Sequence, residues 1–369
     1  AARLFPDHAD PHPSQKMPFR ADQGDVFCDG KDCTVVARRP APSLPAPRTR
    51  LDRMAMRSPL PVRDGVGATR LRVPPDGPWP TVGAFMAERF SHLDPEYLLA
   101  RFDRGEIVAL DGSALTRETP LGVHDFVWYY REPPAEKAIP FDVEILHQDA
   151  DLVVVDKPHF LPTTPGGKYL QNSALVRLRN ALGIPELTPI HRLDRATAGL
   201  LMLSARPATR GAYQLLFERR EVEKVYEAVS LLPAGWDPAA PALLGSTFPL
   251  VHRNHIAKLR GQVRVQTDPA REPNAETRIE LLGFDDRVLH TLLRPHSGRM
   301  HQLRVHLAEL GAGIMNDGFY PDLLPETPDD FAHPLQLLAR ELRFTDPLSG
   351  APRGFTTRCT LQEAPSARQ

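Results

Sequence analysis

Three cysteines in 369 residues, Cys28, Cys33 and Cys359, are too few to build a disulfide framework. Cys28 and Cys33 have no second Cys or His pair at zinc-finger spacing, so no metal site is expected. The longest apolar runs, near Leu152–Val155 and Leu200–Leu203, are far too short to cross a bilayer. The opening residues lack a basic start followed by an apolar core, so no secretory signal is expected. No glycine-rich phosphate loop follows any strand-like run, which argues against a nucleotide cofactor. Charge of one sign is missing as well: 45 Lys and Arg against 46 Asp and Glu leave a net charge of -1. Overall charge therefore gives no support to a polyanionic partner. The absences together predict a cytoplasmic, cofactor-free chain with no membrane partner, expected to be a monomer.

Proline is what the chain has in quantity, 39 residues. In residues 1–57 it recurs among few large apolar residues and without periodicity, as in RPAPSLPAPR, which predicts a disordered tail. That tail is read as sequence that can lie upstream of a true start at Met54 or Met56. Residues 58–80 remain proline-rich and are expected to run extended. From 81 to 133 the pattern changes. Val82, Phe85, Met86 and Phe90 form a helical stripe; Asp94-Pro95 opens a second helix that Gly105 ends. Strands are expected at Glu106–Leu110 and Asp125–Tyr130, with a turn at Asp111-Gly112. Residues 134–140 read as a linker, 141–360 as a second, larger domain and 361–369 as a flexible tail. The larger domain alternates strand-like runs with helices at Asn172–Leu182, Ala208–Arg219 and His301–Leu310. This predicts an α+β fold with a large mixed, mostly antiparallel sheet.

The most informative stretch is HRLDRATAGLLMLSARPATR, residues 191–210. Asp194 stands between Arg192 and Arg195, just before the continuously apolar run Gly199–Leu203, which reads as a buried strand. A carboxylate on a loop at the mouth of a core strand, held among guanidinium groups, stays ionised and partly shielded from water. Those are the properties of a nucleophile or a general base. Locally the charge is not balanced: residues 191–224 hold seven Lys and Arg against four acids, and residues 250–306 ten against six. A footprint for a phosphate backbone follows if those stretches share a face.

HRLDRATAGLL closely resembles the signature HRLDxxTSGLL of RluA-type RNA pseudouridine synthases, with Ala198 where serine is commoner. Further segments resemble that family in the same order: EILHQDADLVVVDKPHFLPTTPGG (144–167), EKVYEA (223–228), RPHSGRMHQLRVHLAELG (294–311), and the closing MNDGFYP and DDFAHPLQLLAR. The smaller domain, through GEIVALDGSALTRETPLGVHDFVWY, resembles the alpha-L RNA-binding domain of ribosomal small-subunit protein four, although the usual Arg-Leu-Asp opening and Ser-Arg pair are missing.

The resemblance implies the pseudouridine synthase fold, ribosomal or transfer RNA as partner, and isomerisation of a uridine within it, without redox change, cofactor or metal. It makes Asp194 the catalytic carboxylate, attacking the ribose 1′ carbon or taking the 2′ proton. Tyr226 becomes the residue stacking on the uracil, with a hydroxyl placed to assist proton removal, and Arg304 the partner that orients Asp194. Arg192, Arg195, Arg299 and His301 are the candidate RNA contacts, Arg192 entering the space left by a flipped base. Two other readings stay open: a base-releasing N-glycosidase using the same carboxylate, and an RNA-binding or assembly factor with a degenerate synthase domain.

Overall fold

The computed structural model describes residues 57–132 and 135–365, with two short strands nearer the start, β1 (Val26–Asp29) and β2 (Asp32–Val35). The chain divides into two units, Ala1–Arg57 and Ser58–Gln369. In the first, β1 and β2 form an antiparallel hairpin; the remainder of the expected tail lies outside the described residues, as do residues 366–369.

The second unit opens with β3 (Thr69–Arg72), α1 (Val82–Arg89), α2 (Pro95–Asp103) and β4 (Phe126–Tyr129). Both helices start as their sequences dictate. The Thr81 hydroxyl accepts from the Ala84 amide, and the Asp94 carboxylate from the Glu96 amide with Pro95 at the first helical position. β3 arises from the segment expected to run merely extended. Its residues alternate outward and inward, and Leu71 pairs opposite Val127 in β4. Residues 106–110, expected as a strand, make only single bridges from Val108 to Ala114 and Trp128. The chain reverses there at Asp111–Ser113, too soon to carry a ladder. Val82, Phe85, Met86, Leu98, Phe102 and Val127 form this region's core.

The larger region continues with β5 (Glu144–Gln148), β6 (Leu152–Lys157), α3 (Ala174–Leu182), β7 (Thr188–Pro189), β8 (Ala198–Ser204), α4 (Pro207–Glu218) and β9 (Glu223–Leu231). Four short strands and one longer one follow: β10 (Ala242–Leu243), β11 (Ser246–Thr247), β12 (Leu250–Asn254), β13 (Ile256–Ala257) and β14 (Gln266–Thr267). The last elements are β15 (Ala275–Phe284), β16 (Val288–Pro295), α5 (Gln302–Glu309), β17 (Leu337–Thr345) and β18 (Pro352–Thr356).

Ten of these strands form one sheet in the order β12-β15-β16-β9-β17-β8-β6-β5, with β18 on β17 and β7 on β8. Every pairing is antiparallel except β8 with β17. The fold is α+β. The continuous apolar runs of β6 and β8 are explained by burial on both faces. Val153, Val155, Leu201 and Leu203 face the α3 side, while Leu152, Val154, Leu200 and Met202 face α4. In the other half, Ile279, Leu289 and Leu293 pack on Leu303 and Leu307 of α5. Leu361, in the segment expected to start a flexible tail, is buried beside Val229 and Leu338, and the Glu363 amide donates to the Gln336 side chain.

β17 joins the two halves, and its contact with β8 depends on Gly199. That residue has φ +103°, and a Cβ built on it would lie 2.2 Å from the Ala339 carbonyl oxygen. Both the dihedral and the space demand glycine. Gly199→Ala is expected to lower the unfolding free energy by on the order of 3 kcal/mol. Urea denaturation followed by tryptophan fluorescence checks this; an unchanged midpoint would show that the strand junction yields freely.

Candidate active site

Asp194 lies on the loop 191–197 that feeds β8, and side chains from distant elements grip the backbone of that loop. His191 Nε2 accepts from the Met202 amide at 3.1 Å, and its ring stacks on Phe217. The buried Thr163 hydroxyl donates to the Leu193 carbonyl at 2.8 Å and accepts from the Leu193 amide at 3.2 Å. Lys157 Nζ donates to the carbonyls of Pro158, Leu161 and Arg195 at 2.8, 2.8 and 3.3 Å. His159 Nδ1 donates to the Ala196 carbonyl at 2.6 Å. These four holds fix the Asp194 Cα between residues pinned on both sides, so the carboxylate is aimed before any ligand arrives.

Charges buried here are tuned by desolvation. Burial lowers Lys157 to about 7, against the opposing pull of Asp194. The amine thus ties the loop down without bringing a full positive charge beside the carboxylate at every pH. Burial also lowers His159 to about 4 and His191 to about 3, keeping both rings neutral.

Arg304, on α5, faces Asp194 from the other half of the sheet. Its Nη1 donates to Asp194 Oδ2 at 3.4 Å. Its stronger partner is Asp317, which accepts from Nε at 2.7 Å and from Nη2 at 2.5 Å. Burial pulls the guanidinium pKa down, but the hydrogen bonds and charge of Asp317 more than reverse that, so Arg304 stays cationic. Asp317 is itself oriented by the amides of Phe319 and Tyr320, whose rings lie against the guanidinium at 4.9 and 5.5 Å. Two of the three guanidinium nitrogens are thereby committed, and the third is left for Asp194.

His301 comes to the same place. It caps α5 with φ +55°, and its Nε2 lies 3.8 Å from Asp194 Oδ2. Tyr320 accepts from the Val265 amide at 2.9 Å, leaving its own proton for His301 Nδ1 at 3.0 Å. That arrangement puts the imidazole proton on Nε2, toward the carboxylate. Tyr226, on β9, packs at the junction of the two half-cores, and its hydroxyl makes no hydrogen bond among the described residues. Burial, reinforced by the Asp194 charge, raises its pKa above the ordinary tyrosine value.

The remaining candidates fall elsewhere. Arg192 is exposed and forms no ion pair among the described residues. Arg195 is committed to structure: its nitrogens donate to Asp329 at 2.7 and 3.0 Å, and its guanidinium covers the Tyr169 ring at 5.4 Å. Arg299 is exposed and tied to the Asn274 carbonyl at 3.2 Å. Asp317, Lys157, His159 and Thr163 were not among the residues singled out in the sequence. Nothing in their local sequence shows that they converge on Asp194. Among the described residues no group of three or more His, Cys, Asp or Glu could hold a metal ion, and no helix is long and apolar enough to cross a membrane.

Residues 151–309 match the family model described as RNA pseudouridylate synthase. Over 240 residues the chain is 28% identical to an uncharacterized RNA pseudouridine synthase of Synechocystis, covering 64% of this chain and 78% of that protein. It is 31% identical over 230 residues to the dual-specificity RNA pseudouridine synthase RluA of Haemophilus influenzae, covering 61% of this chain and 95% of the relative. It is also 28% identical over 243 residues to the mitochondrial tRNA pseudouridine(32) synthase of Saccharomyces cerevisiae, covering 65% of this chain. There the match spans half of the yeast protein.

Two stability effects follow from the site. Asp317→Asn leaves a buried guanidinium without its counter-charge and is expected to cost about 3 kcal/mol. Asp329→Asn, whose partner Arg195 is 38% exposed, is expected to cost about 1 kcal/mol or less. Urea unfolding of the two variants side by side separates them, and equal losses would refute the ranking. The second effect concerns acid. His159, His191 and His306 are all lowered by burial, the last to about 3, so the unfolded chain binds protons that the folded chain refuses. Their contribution is complete above pH 6.5 and lost as pH falls from there toward 4. The fully buried His306 should account for about 2 kcal/mol of loss at pH 5. Urea titrations between pH 7 and 5 should show a slope shallower by about one proton in His306→Gln; an identical slope would mean that His306 does not titrate with unfolding.

Proposed function

Since the chain belongs to the RNA pseudouridylate synthase family, enzymes that isomerise uridine in RNA to pseudouridine, we propose that Asp194 is the carboxylate that opens the glycosidic bond of the target uridine. The observation that carries this reading is the contact from Arg304 Nη1 to Asp194 at 3.4 Å, made by a guanidinium whose other nitrogens are held by buried Asp317. A carboxylate so placed keeps one orientation while the pocket closes over the ribose.

In the reaction, the bond from uracil nitrogen 1 to the ribose 1′ carbon breaks, the base turns, and a bond from carbon 5 to the 1′ carbon forms as the carbon 5 proton leaves to solvent and nitrogen 1 takes one up. Asp194 acts either as nucleophile at the 1′ carbon or as base at the 2′ position. Tyr226 is the residue that covers the uracil face, a stacking contribution of about 1–3 kcal/mol. Its raised pKa keeps the phenol neutral at neutral pH, which favours stacking over service as a phenolate base. His301, neutral and directed at the same carboxylate oxygen, supports Asp194 from the second side. Arg192 is the exposed cation available for the vacated stack, and Arg299 contacts phosphate. Arg195 is read as a brace for the loop, with RNA contact secondary.

The substrate is read as transfer or ribosomal RNA. The alpha-L-like region, residues 81–133, is read as an accessory RNA-binding module. The working form is read as a cytoplasmic monomer.

Asp194→Asn tests the assignment. It should abolish pseudouridine formation while RNA affinity stays within about threefold, because the side chain keeps its shape and loses only its charge. Tritium release from [5-³H]uridine-labelled transfer RNA and ribosomal RNA transcripts measures the reaction. Turnover near the normal rate in the variant would remove Asp194 from the chemistry. Free uracil from the unaltered protein would identify a glycosidase, and RNA binding without either product an assembly factor. Arg304→Met and Asp317→Asn should each lower the single-turnover rate at least about tenfold, the equivalent of about 1.4 kcal/mol, with little change in affinity. A loss of affinity at an unchanged rate would reassign the pair to binding.

A further inference from the structure

The outer face of the β3–β4 ribbon carries cations whose charge no acidic side chain pairs with among the described residues. Arg70 and Arg72 alternate outward on β3 and are exposed, while Leu71 between them enters the core. On β4 Phe126 and Trp128 lie on the side of the ribbon opposite Val127 and Tyr129, with Trp128 buried beneath, and Tyr130 follows. The Arg70 guanidinium lies over the Phe126 ring at 4.7 Å and the Trp128 ring at 5.9 Å. Arg63 lies over Tyr130 at 4.2 Å. The side chains of Arg63, Arg70 and Arg72 make no hydrogen bond or ion pair among the described residues. On the helical side of the same region Arg101 and Arg104 are paired with Glu106 and Arg117 with Asp103, while Arg89 lies over the Phe90 ring at 5.7 Å.

A guanidinium laid flat on an aromatic ring loses rotamer freedom before anything binds, yet keeps its N–H edges pointing outward. The rings beneath are occupied, so they offer little face for a base to stack on. What such a stripe can recognise is an anion with planar, bidentate geometry, repeated along a line. Arg70 and Arg72 are two residues apart on one strand, about 7 Å. The stripe also leads to the catalytic cleft. Arg131, next after Tyr130, donates to the Gly167 carbonyl at 2.9 Å. Two residues on, Tyr169 lies under Arg195, the neighbour of Asp194.

We propose that Arg63, Arg70 and Arg72 form a docking stripe for the phosphate backbone of the RNA substrate beyond the nucleotide being modified, so that the small region holds RNA through its ribbon and not through its helices. The stripe positions RNA by charge and carries no base readout. This inference rests on the reading of the chain as an RNA-modifying enzyme.

The test uses the full chain and two probes, a fluorescent transfer RNA transcript and a 30-nucleotide single-stranded RNA, titrated between 50 and 300 mM KCl. The triple variant Arg63→Gln, Arg70→Gln, Arg72→Gln should bind about tenfold or more weakly at 100 mM salt. Its slope of log affinity against log salt should be shallower by about 2, for three lost phosphate contacts on a single strand. The triple Arg→Lys variant keeps the charge and loses the stacking, and should retain that slope to within about 0.5. The single-turnover rate at saturating RNA should stay within about twofold in both. If the glutamine triple melts appreciably earlier, Arg70→Gln and Arg72→Gln alone should each remove about 0.7 from the slope. Affinity and slope equal to the unaltered protein's in a folded glutamine variant would overturn the docking stripe and leave the catalytic assignment intact. Failure of the unaltered protein to bind either RNA would overturn the proposed function, and the stripe with it.

Discussion

Arg304 is 4% exposed and cationic, and a buried guanidinium is tolerable only where fixed acceptors surround it. The arrangement of the catalytic region follows from meeting that demand. Asp317 supplies two oxygens from a loop that is itself hung on the sheet: Ile314 bridges Ser230 of β9, the Met315 amide donates to the Val229 carbonyl, and the Gln336 amide donates to that of Met315. Arg304 comes from α5, packed on β15 and β16, and Asp194 from the loop before β8 in the other half. One guanidinium thus joins three elements that the topology brings together only because β17 lies between β9 and β8. A shift in any of them would leave a charge buried and unpaired, so the ion pair and the sheet order hold each other in place.

The loop bearing Asp194 is rigid for a related reason. Its backbone groups are partly withdrawn from water and must find partners inside the protein. Thr163, Lys157 and His159 are those partners, and His191 reaches from the loop to the Met202 amide of β8. Each accepts a desolvation penalty, visible in the lowered pKa values of the three basic groups, to tie the loop to the fold. The cost is met by the apolar packing of β6 and β8 on both faces. Stability is thereby converted into a fixed direction for one carboxylate.

Much of this was legible along the chain, and the legible parts share a cause. Helices α1, α2, α3 and α5 were readable because apolar stripes and helix ends are local: the α1 stripe, Asp94-Pro95 with Gly105, and the glycines Gly183 and Gly311 each act within a few residues. β6 and β8 were readable as uninterrupted apolar runs. β3 was missed because Thr69–Arg72 is a short alternation among prolines, and it becomes a strand only when Val127 and its neighbours arrive from 55 residues away. Glu106–Leu110 was over-read because its β-forming composition says nothing about the turn that cuts the ladder short.

At the site the division is sharper. The sequence by itself determined that Asp194 sits at the mouth of a core strand among cations, and the ordered motifs singled out Tyr226 and Arg304 with it. It also determined that the chain is α+β with a mostly antiparallel sheet, since strand and helix periods and their punctuation are written locally. Only the tertiary structure decided which cations face Asp194 and which brace the scaffold. Arg195, beside Asp194 in sequence, turns away to Asp329, while Arg304, more than a hundred residues distant, turns toward it. Asp317, Lys157 and His159 acquire meaning by the same route. An ion pair or a buried hydrogen bond is a property of two groups and the water excluded between them, and the chain specifies that exclusion only once the sheet has closed.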